Sequence, residues 1–95
     1  MFDTIYNFVK TIPKGRVATY GQVAKALEIK DVRKIGWALH ANKSSEVPCH
    51  RVVNKEGKLA DNFAFNGKEE QQKRLEMEGI VFKKDGYVDL TKYCL

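Results

Sequence analysis

A mostly helical α+β fold, a winged helix-turn-helix-like domain with short β-hairpins, is what this 95-residue sequence predicts. Three observations carry that expectation. Two short amphipathic segments, around residues 19–27 and 31–39, are separated by a break of only a few residues. Two short helices joined so briefly form a helix-turn-helix pattern, with the latter as recognition helix. Val52-Val53 followed by Asn54-Lys55-Glu56-Gly57 reads as a short strand and a wing-like turn. A second turn, Asp85-Gly86, lies between two further apolar runs near the C-terminus.

Taken in order, Phe2, Ile5, Tyr6 and Val9 recur at helical spacing, so residues 3–10 are predicted helical with Asp3 as cap. Pro13-Lys14-Gly15 makes a turn. Thr19 and Gln22 have the capping-box spacing and open a helix with Tyr20, Val23, Ala24 and Leu27 on its apolar face. Asp31 is placed to cap a third helix that turns Val32, Ile35, Gly36 and Leu39 inward. A loop at 41–46 leads to Val47-Pro48-Cys49-His50-Arg51 and a strand at 51–53, returned by the turn to Lys58-Leu59. Residues 60–67 read as irregular, and 68–78 as a polar helix stopped by Gly79. Ile80-Val81-Phe82 and Tyr87-Val88-Asp89 form a closing hairpin.

Ninety-five residues suit one domain with a single modest core. Lys and Arg total 17 against 12 acids, a formal charge of +5, which is compatible with a polyanionic partner and equally with simple solubility. The distribution says more. Lys10, Lys14, Arg16, Lys25, Lys30, Arg33, Lys34 and Lys43 precede Cys49, whereas most of the acid follows it. No apolar run is long enough to span a bilayer, and Met1-Phe2-Asp3 opens no signal-peptide pattern. With two cysteines and two histidines, neither a disulfide framework nor a tetrahedral zinc site is expected. No metal and no cofactor are expected, and a reducing cytoplasm is the simplest setting.

Chemistry concentrates at Cys49. A thiolate is a far better nucleophile than a thiol, and the adjoining His50 and Arg51 are expected to lower the thiol pKa. Pro48 holds Val47 extended and stiffens the approach. The competing reading makes Cys49 one more small buried hydrophobe. Arg33 and Lys34 fall in the first turn of the recognition helix, where cations oppose the helix dipole. Either phosphates relieve that misfit, or Asp31 offsets it on a solvated face. Tyr20 either packs on the Val23/Leu27 stripe or serves a ligand, and Trp37 either stacks beside a partner or packs in the core.

The Pro48-Cys49-His50-Arg51-Val52 run resembles the active-site motif of the O6-alkylguanine-DNA alkyltransferases, the methylated-DNA–protein-cysteine methyltransferases. Residues 12–24 resemble that family's entry into its DNA-binding helices, and residues 33–39 with Asn42 its recognition helix and the asparagine after it. Residues 75–79, ending Glu78-Gly79, match its closing helix, so the likeness runs in order over about 9–79. The resemblance implies one alkyltransferase-type DNA-binding domain over residues 1–95, without the family's additional N-terminal domain.

It also implies roles. Cys49 attacks the O6-alkyl group, His50 accepts the thiol proton through a water, Glu78 orients the imidazole, and Asn42 braces the loop. Tyr20, Arg33, Lys34, Gly36 and Arg51 contact DNA, with Arg33 filling the space left by an extruded nucleotide and Tyr20 acting on the phosphate during flipping. Extrusion is required because O6 lies inside the base pair. Tyr20, Val47, Pro48, Phe63, Phe65 and Gly67 line the alkyl and base pocket. A thioether is not easily hydrolysed, so the protein acts once. The implied partner is double-stranded DNA carrying O6-alkylguanine, bound by a monomer away from membranes. A second reading, drawn from the likeness of Val88-Asp89-Leu90 and Tyr93 to the alkyltransferase-like proteins, has the chain bind the lesion without repairing it and flag it to nucleotide excision repair proteins.

Overall fold

A computed structural model describes residues 2–44, 46–59 and 67–95. Helix α1 spans Asp3–Val9. Asp3 is its first helical residue and not its cap, because the helix begins immediately after Phe2, which offers no side-chain acceptor. The Asp3 carboxylate still sits at the favourable positive end of the helix dipole. The Pro13 turn closes through Arg16 N–H to the Pro13 carbonyl at 3.1 Å, with Gly15 at φ 87°.

Strand β1, Ala18–Thr19, runs directly into helix α2, Tyr20–Ala26. The capping box is complete: Gln22 N donates to Thr19 Oγ1 at 3.1 Å, and Thr19 N donates to Gln22 Oε1 at 2.8 Å. Helix α3 covers Arg33–Ala41. Asp31 Oδ1 accepts from Arg33 N at 3.1 Å, so it satisfies an open helix-end N–H although Val32 occupies the cap position. Ile35, Ala38 and Leu39 are buried, but Val32 is 44% exposed. Standing outside the helical turn, Val32 misses the buried face that the spacing predicts for it. The three helices pack on one another, and Tyr6 Oη donates to the Ala38 carbonyl at 2.7 Å to tie α1 to α3.

A 3-10 turn, Cys49–Arg51, leads into strand β2, Val52–Val53. The expected strand thus loses Arg51 to the turn. β2 pairs in parallel with β1 in the register Ala18 to Val52 and Thr19 to Val53. The return turn is built on Asn54, whose Oδ1 accepts from Glu56 N at 2.9 Å and Lys58 N at 2.8 Å. Gly57, at φ 87°, lies so close to Val88 that a Cβ would collide with its backbone.

Helix α4, Gly67–Met77, ends as the sequence indicates. Gly79 at φ 93° lets Ile80 N reach the Leu75 carbonyl at 3.1 Å, a Schellman closure that leaves Glu78 in the last turn. The closing hairpin consists of one antiparallel bridge, Phe82 to Val88. A short helix α5, Leu90–Tyr93, follows, with Asp89 Oδ1 accepting from Thr91 N at 3.0 Å. The tail then lies beside β1: Val17 N donates to Tyr93 O at 2.8 Å and Leu95 N to Val17 O at 2.9 Å.

Successive strand residues face opposite ways, and the fold uses this to serve two cores. Ala18 and Val52 join Ile5, Val9, Ile12, Val23, Ile35 and Cys49 among the first three helices. Val17 and Val53 turn the other way, to Leu59, Leu75, Ile80 and Val88. The architecture is α+β, mostly helical, with the 3-10 turn at the seam.

Candidate functional site

Cys49 opens the 3-10 turn and is 3% exposed, three residues before the strand pair fixes the chain at Val52. Its own N–H donates to the Val47 carbonyl at 2.8 Å, and Arg51 N donates to the Pro48 carbonyl at 3.0 Å. Asn42, at the end of α3 and buried, holds the loop from the other side. Its Nδ2 donates to Ser44 O at 3.0 Å and approaches Cys49 Sγ at 3.7 Å, while its Oδ1 accepts from Ser44 N at 3.1 Å.

The electrostatics correct one expectation. Burial pushes the Cys49 thiol up, and donation from Asn42 offsets only part of that. His50 and Arg51 adjoin Cys49 in sequence, but both side chains reach for Glu78. His50 Nε2 lies 2.9 Å from Glu78 Oε2, Arg51 Nη2 donates to the same oxygen at 2.6 Å, and Arg51 Nε donates to Oε1 at 3.0 Å. Arg51 Nη1 also donates to the Ile12 carbonyl at 2.8 Å. A guanidinium placed by sequence among the DNA contacts is therefore directed into the protein.

Burial raises the Glu78 carboxyl, but hydrogen bonds from Arg51 and His50 together outweigh it and hold the group below the ordinary carboxylate range. Burial lowers the His50 pKa, with Glu78 opposing. His50 is therefore neutral near pH 7. With Nε2 engaged by Glu78, Nδ1 is the ring nitrogen left to take a proton. A hollow of about 250 Å³ lined by Lys14, His50, Arg74, Met77 and Glu78 adjoins the pair.

Gln71 is a residue that sequence reasoning missed. It is fully buried on α4, and its Nε2 donates to the carbonyls of His50 at 3.1 Å and Val52 at 3.0 Å. The only sequence signal is a glutamine seven residues before Glu78, hence on the same helical face.

The second group of expected residues gathers where α2 meets α3. Tyr20, Val32, Arg33 and Gly36 line an apolar hollow of about 220 Å³. Tyr20 is half-buried, and burial raises its phenol pKa. Arg33 is exposed and forms a bidentate pair with Asp31, both bonds at 3.0 Å. That hydrogen bonding holds the Asp31 carboxyl below its usual range. Trp37 is 56% exposed and therefore stands outside both cores. Lys34 is exposed beside it. Val47 is buried and Pro48 half-buried next to the cysteine, while Gly67 starts α4 at φ 81°. Phe63 and Phe65 lie outside the described residues. Among the described residues no three His, Cys, Asp or Glu side chains assemble into a metal-binding group.

Known proteins resemble this chain in both sequence and fold. The alkyltransferase-like protein 1 of Schizosaccharomyces pombe is 35% identical over 81 residues, covering 83% of this chain and 75% of its own. A methylated-DNA–protein-cysteine methyltransferase of Thermococcus gammatolerans is 44% identical over 78 residues, covering 80% of this chain and 42% of its own, so the chain spans less than half of that relative. The crystal structure of S. pombe Atl1 in complex with damaged DNA containing O6-carboxymethylguanine superposes with a TM-score of 0.84 at 31% identity, covering 99% of this chain and 93% of that one. Residues 1–80 match the family described as 6-O-methylguanine DNA methyltransferase, DNA binding domain, and the chain belongs to that family.

Proposed function

We propose that this protein recognises O6-alkylguanine in duplex DNA, extrudes the damaged nucleotide and accepts the alkyl group on Cys49. The observation that carries the reading is the convergence of Asn42 on Cys49 Sγ and of Glu78 on His50 within one buried turn. A nucleophile, a neutral base and the carboxylate that orients the base are the parts of an activated thiol. The thiol proton passes to His50 Nδ1 through a water, and the thiolate attacks the alkyl carbon. The carbon–oxygen bond to guanine breaks with its electron pair going to the base, which takes a proton from water as it leaves, and His50 returns its proton to solvent afterwards. Glu78 stabilises the imidazolium. The exposed face with Arg33 and Lys34 meets the duplex, and Arg33 fills the gap in the stack. The relatives named above support recognition of damaged DNA.

One observation favours a second reading. A fully buried thiol with a raised pKa is a poor nucleophile until something lowers it. With an unreactive Cys49, the chain binds the lesion and leaves its removal to excision repair. Incubation with O6-methylguanine duplex followed by intact-mass measurement separates the two. One added methyl group, mapped to Cys49, is the expected result. Unchanged mass with lesion-selective binding intact establishes the second reading. Methyl on Cys94, or transfer surviving in Cys49→Ser, overturns the assignment of the nucleophile.

A further inference from the structure

Helix α3 buries Ile35, Ala38 and Leu39 and leaves the opposite arc to solvent. Arg33 and Trp37, one turn apart, stand along the middle of that arc, with Lys34 on one flank and Gly36 on the other. The Arg33 guanidinium lies 5.7 Å from the centre of the Trp37 ring. An exposed indole is a large apolar surface left in water, and this one also walls an open groove of about 800 Å³ with Phe2, Leu27 and Ile29. Gly36 sharpens the point. Among the described residues a Cβ there would meet nothing within 4 Å, so no packing contact among them explains a glycine in a helix interior, where it is destabilising relative to alanine. Among the described residues the helix surface between Arg33, Gly36 and Trp37 is open.

We infer that Trp37 is a second DNA-contacting wedge, acting beside Arg33 against the duplex. The inference rests on the duplex-binding reading above and adds to it an aromatic contact. Residues four apart on a helix are displaced by about 6 Å along its axis. Successive nucleotides of one strand are about 3.4 Å apart. With Arg33 in the vacated stack, Trp37, on the same exposed arc of the helix, meets the duplex beside it. Apolar side chains in that position part the base edges and kink the duplex, which wraps it around the protein. Lys30 and Lys34, on the same groove, suit the phosphates on either side. Asp31, on the same groove, is already paired with Arg33, which leaves Lys30 and Lys34 against Glu28 as the other charged groups there, a balance that suits a phosphate backbone beside an aromatic face.

Trp37 is the single tryptophan of the chain, so its emission reports on this position alone. The test titrates the protein with a short O6-methylguanine duplex and with its undamaged counterpart. Binding is followed separately by anisotropy of an end-labelled duplex. Trp37 emission and its accessibility to acrylamide should both fall in step with binding. Trp37→Ala should weaken duplex binding about tenfold, the scale of one lost base–aromatic contact, without changing the salt slope. Trp37→Phe should restore most of that affinity, and both variants should melt no lower than the parent. Duplex binding with unchanged emission and undiminished affinity in Trp37→Ala would overturn the wedge and leave the function intact. A lowered melting temperature in Trp37→Ala with unaltered binding would assign the ring to stability. No duplex binding by the parent protein would remove the functional reading and this inference together.

Discussion

Gln71 donates its side-chain amide to the His50 carbonyl while Glu78, two turns further along the same helix face, holds the His50 ring. Helix α4 and the residue just past its end thus grip both the backbone and the side chain of His50. Gln71 supplies a donor to the His50 carbonyl within the 3-10 turn and to the Val52 carbonyl where β2 begins. Gln71→Met keeps the bulk and deletes the donor. It should lower stability by about 1–3 kcal/mol, the cost of unsatisfied buried carbonyls. Alkyl transfer should slow in addition, with the His50 ring resonances shifted. Slower transfer without any change at His50 would limit Gln71 to folding.

Glu78→Gln replaces a carboxylate that accepts from both Arg51 and His50. Glu78 is the principal influence raising the His50 pKa against burial, so the variant should titrate His50 at still lower pH by NMR. Removing one partner of a largely buried ion pair should cost about 3 kcal/mol, read as a reduced urea midpoint. A His50 titration that stays put would mean that Glu78 does not set its charge.

Stability should pass through a plateau between about pH 6.5 and about pH 8.5, the ordinary imidazole and thiol values. His50 holds a proton less tightly folded than unfolded, so stability falls as pH drops below the upper end of that shift. Glu78, held low, contributes in the same direction: its stabilisation is present above its ordinary value and lost as pH falls through the folded one. Cys49 is raised, so the unfolded chain ionises first as pH climbs and stability declines. Melting temperatures across pH give the profile. The alkaline decline should flatten in Cys49→Ser, and an unaltered decline would place its origin elsewhere.

The two cysteines should answer different reagents. Cys94 is half-buried, with Sγ 3.0 Å from Gln22 Oε1, whereas Cys49 is buried with a raised pKa. Iodoacetamide at neutral pH should therefore label Cys94 first, by peptide mapping, and lesion-bearing duplex should mark Cys49. Preferential labelling of Cys49 by the small reagent would show a thiol more open and more acidic than its surroundings allow.

Arg33→Ala should spare the fold. The side chain is exposed, and surface replacements of that kind change stability little. Duplex lesion binding should weaken, while reaction with free O6-benzylguanine, which needs no extrusion, should change far less. Equal losses on both substrates would mean that Arg33 supports the pocket.

Much of this was legible because it is local. The Thr19–Gln22 box, the Gly79 stop and the helix-turn-helix spacing depend on residues a few positions apart, and each stands as the sequence indicates. Asn42, Cys49, His50 and Glu78 were read from ordered motifs, and the fold brings them together in two contacting pairs. What escaped depends on distant partners. Two-residue strands carry no periodicity, so the parallel pairing of residues 18–19 with 52–53 leaves no trace in the sequence. Gln71 reads as one more polar position on a polar helix until the 3-10 turn arrives against it. The raised Cys49 pKa follows from burial, which outweighs the sign of its neighbours.

Val52 and Val53 belong to different cores, and that division has a mechanical consequence. Neither half of the molecule can loosen without dragging the two valines against each other, and the cysteine turn is attached immediately before them. Amide exchange at residues 49–53 should therefore be governed by whichever half opens first. A destabilising change far out in the C-terminal cluster, at Ile80 or Val88, would reach Cys49 as faster exchange and greater thiol access. Exchange at the cysteine turn should therefore report on the stability of both clusters.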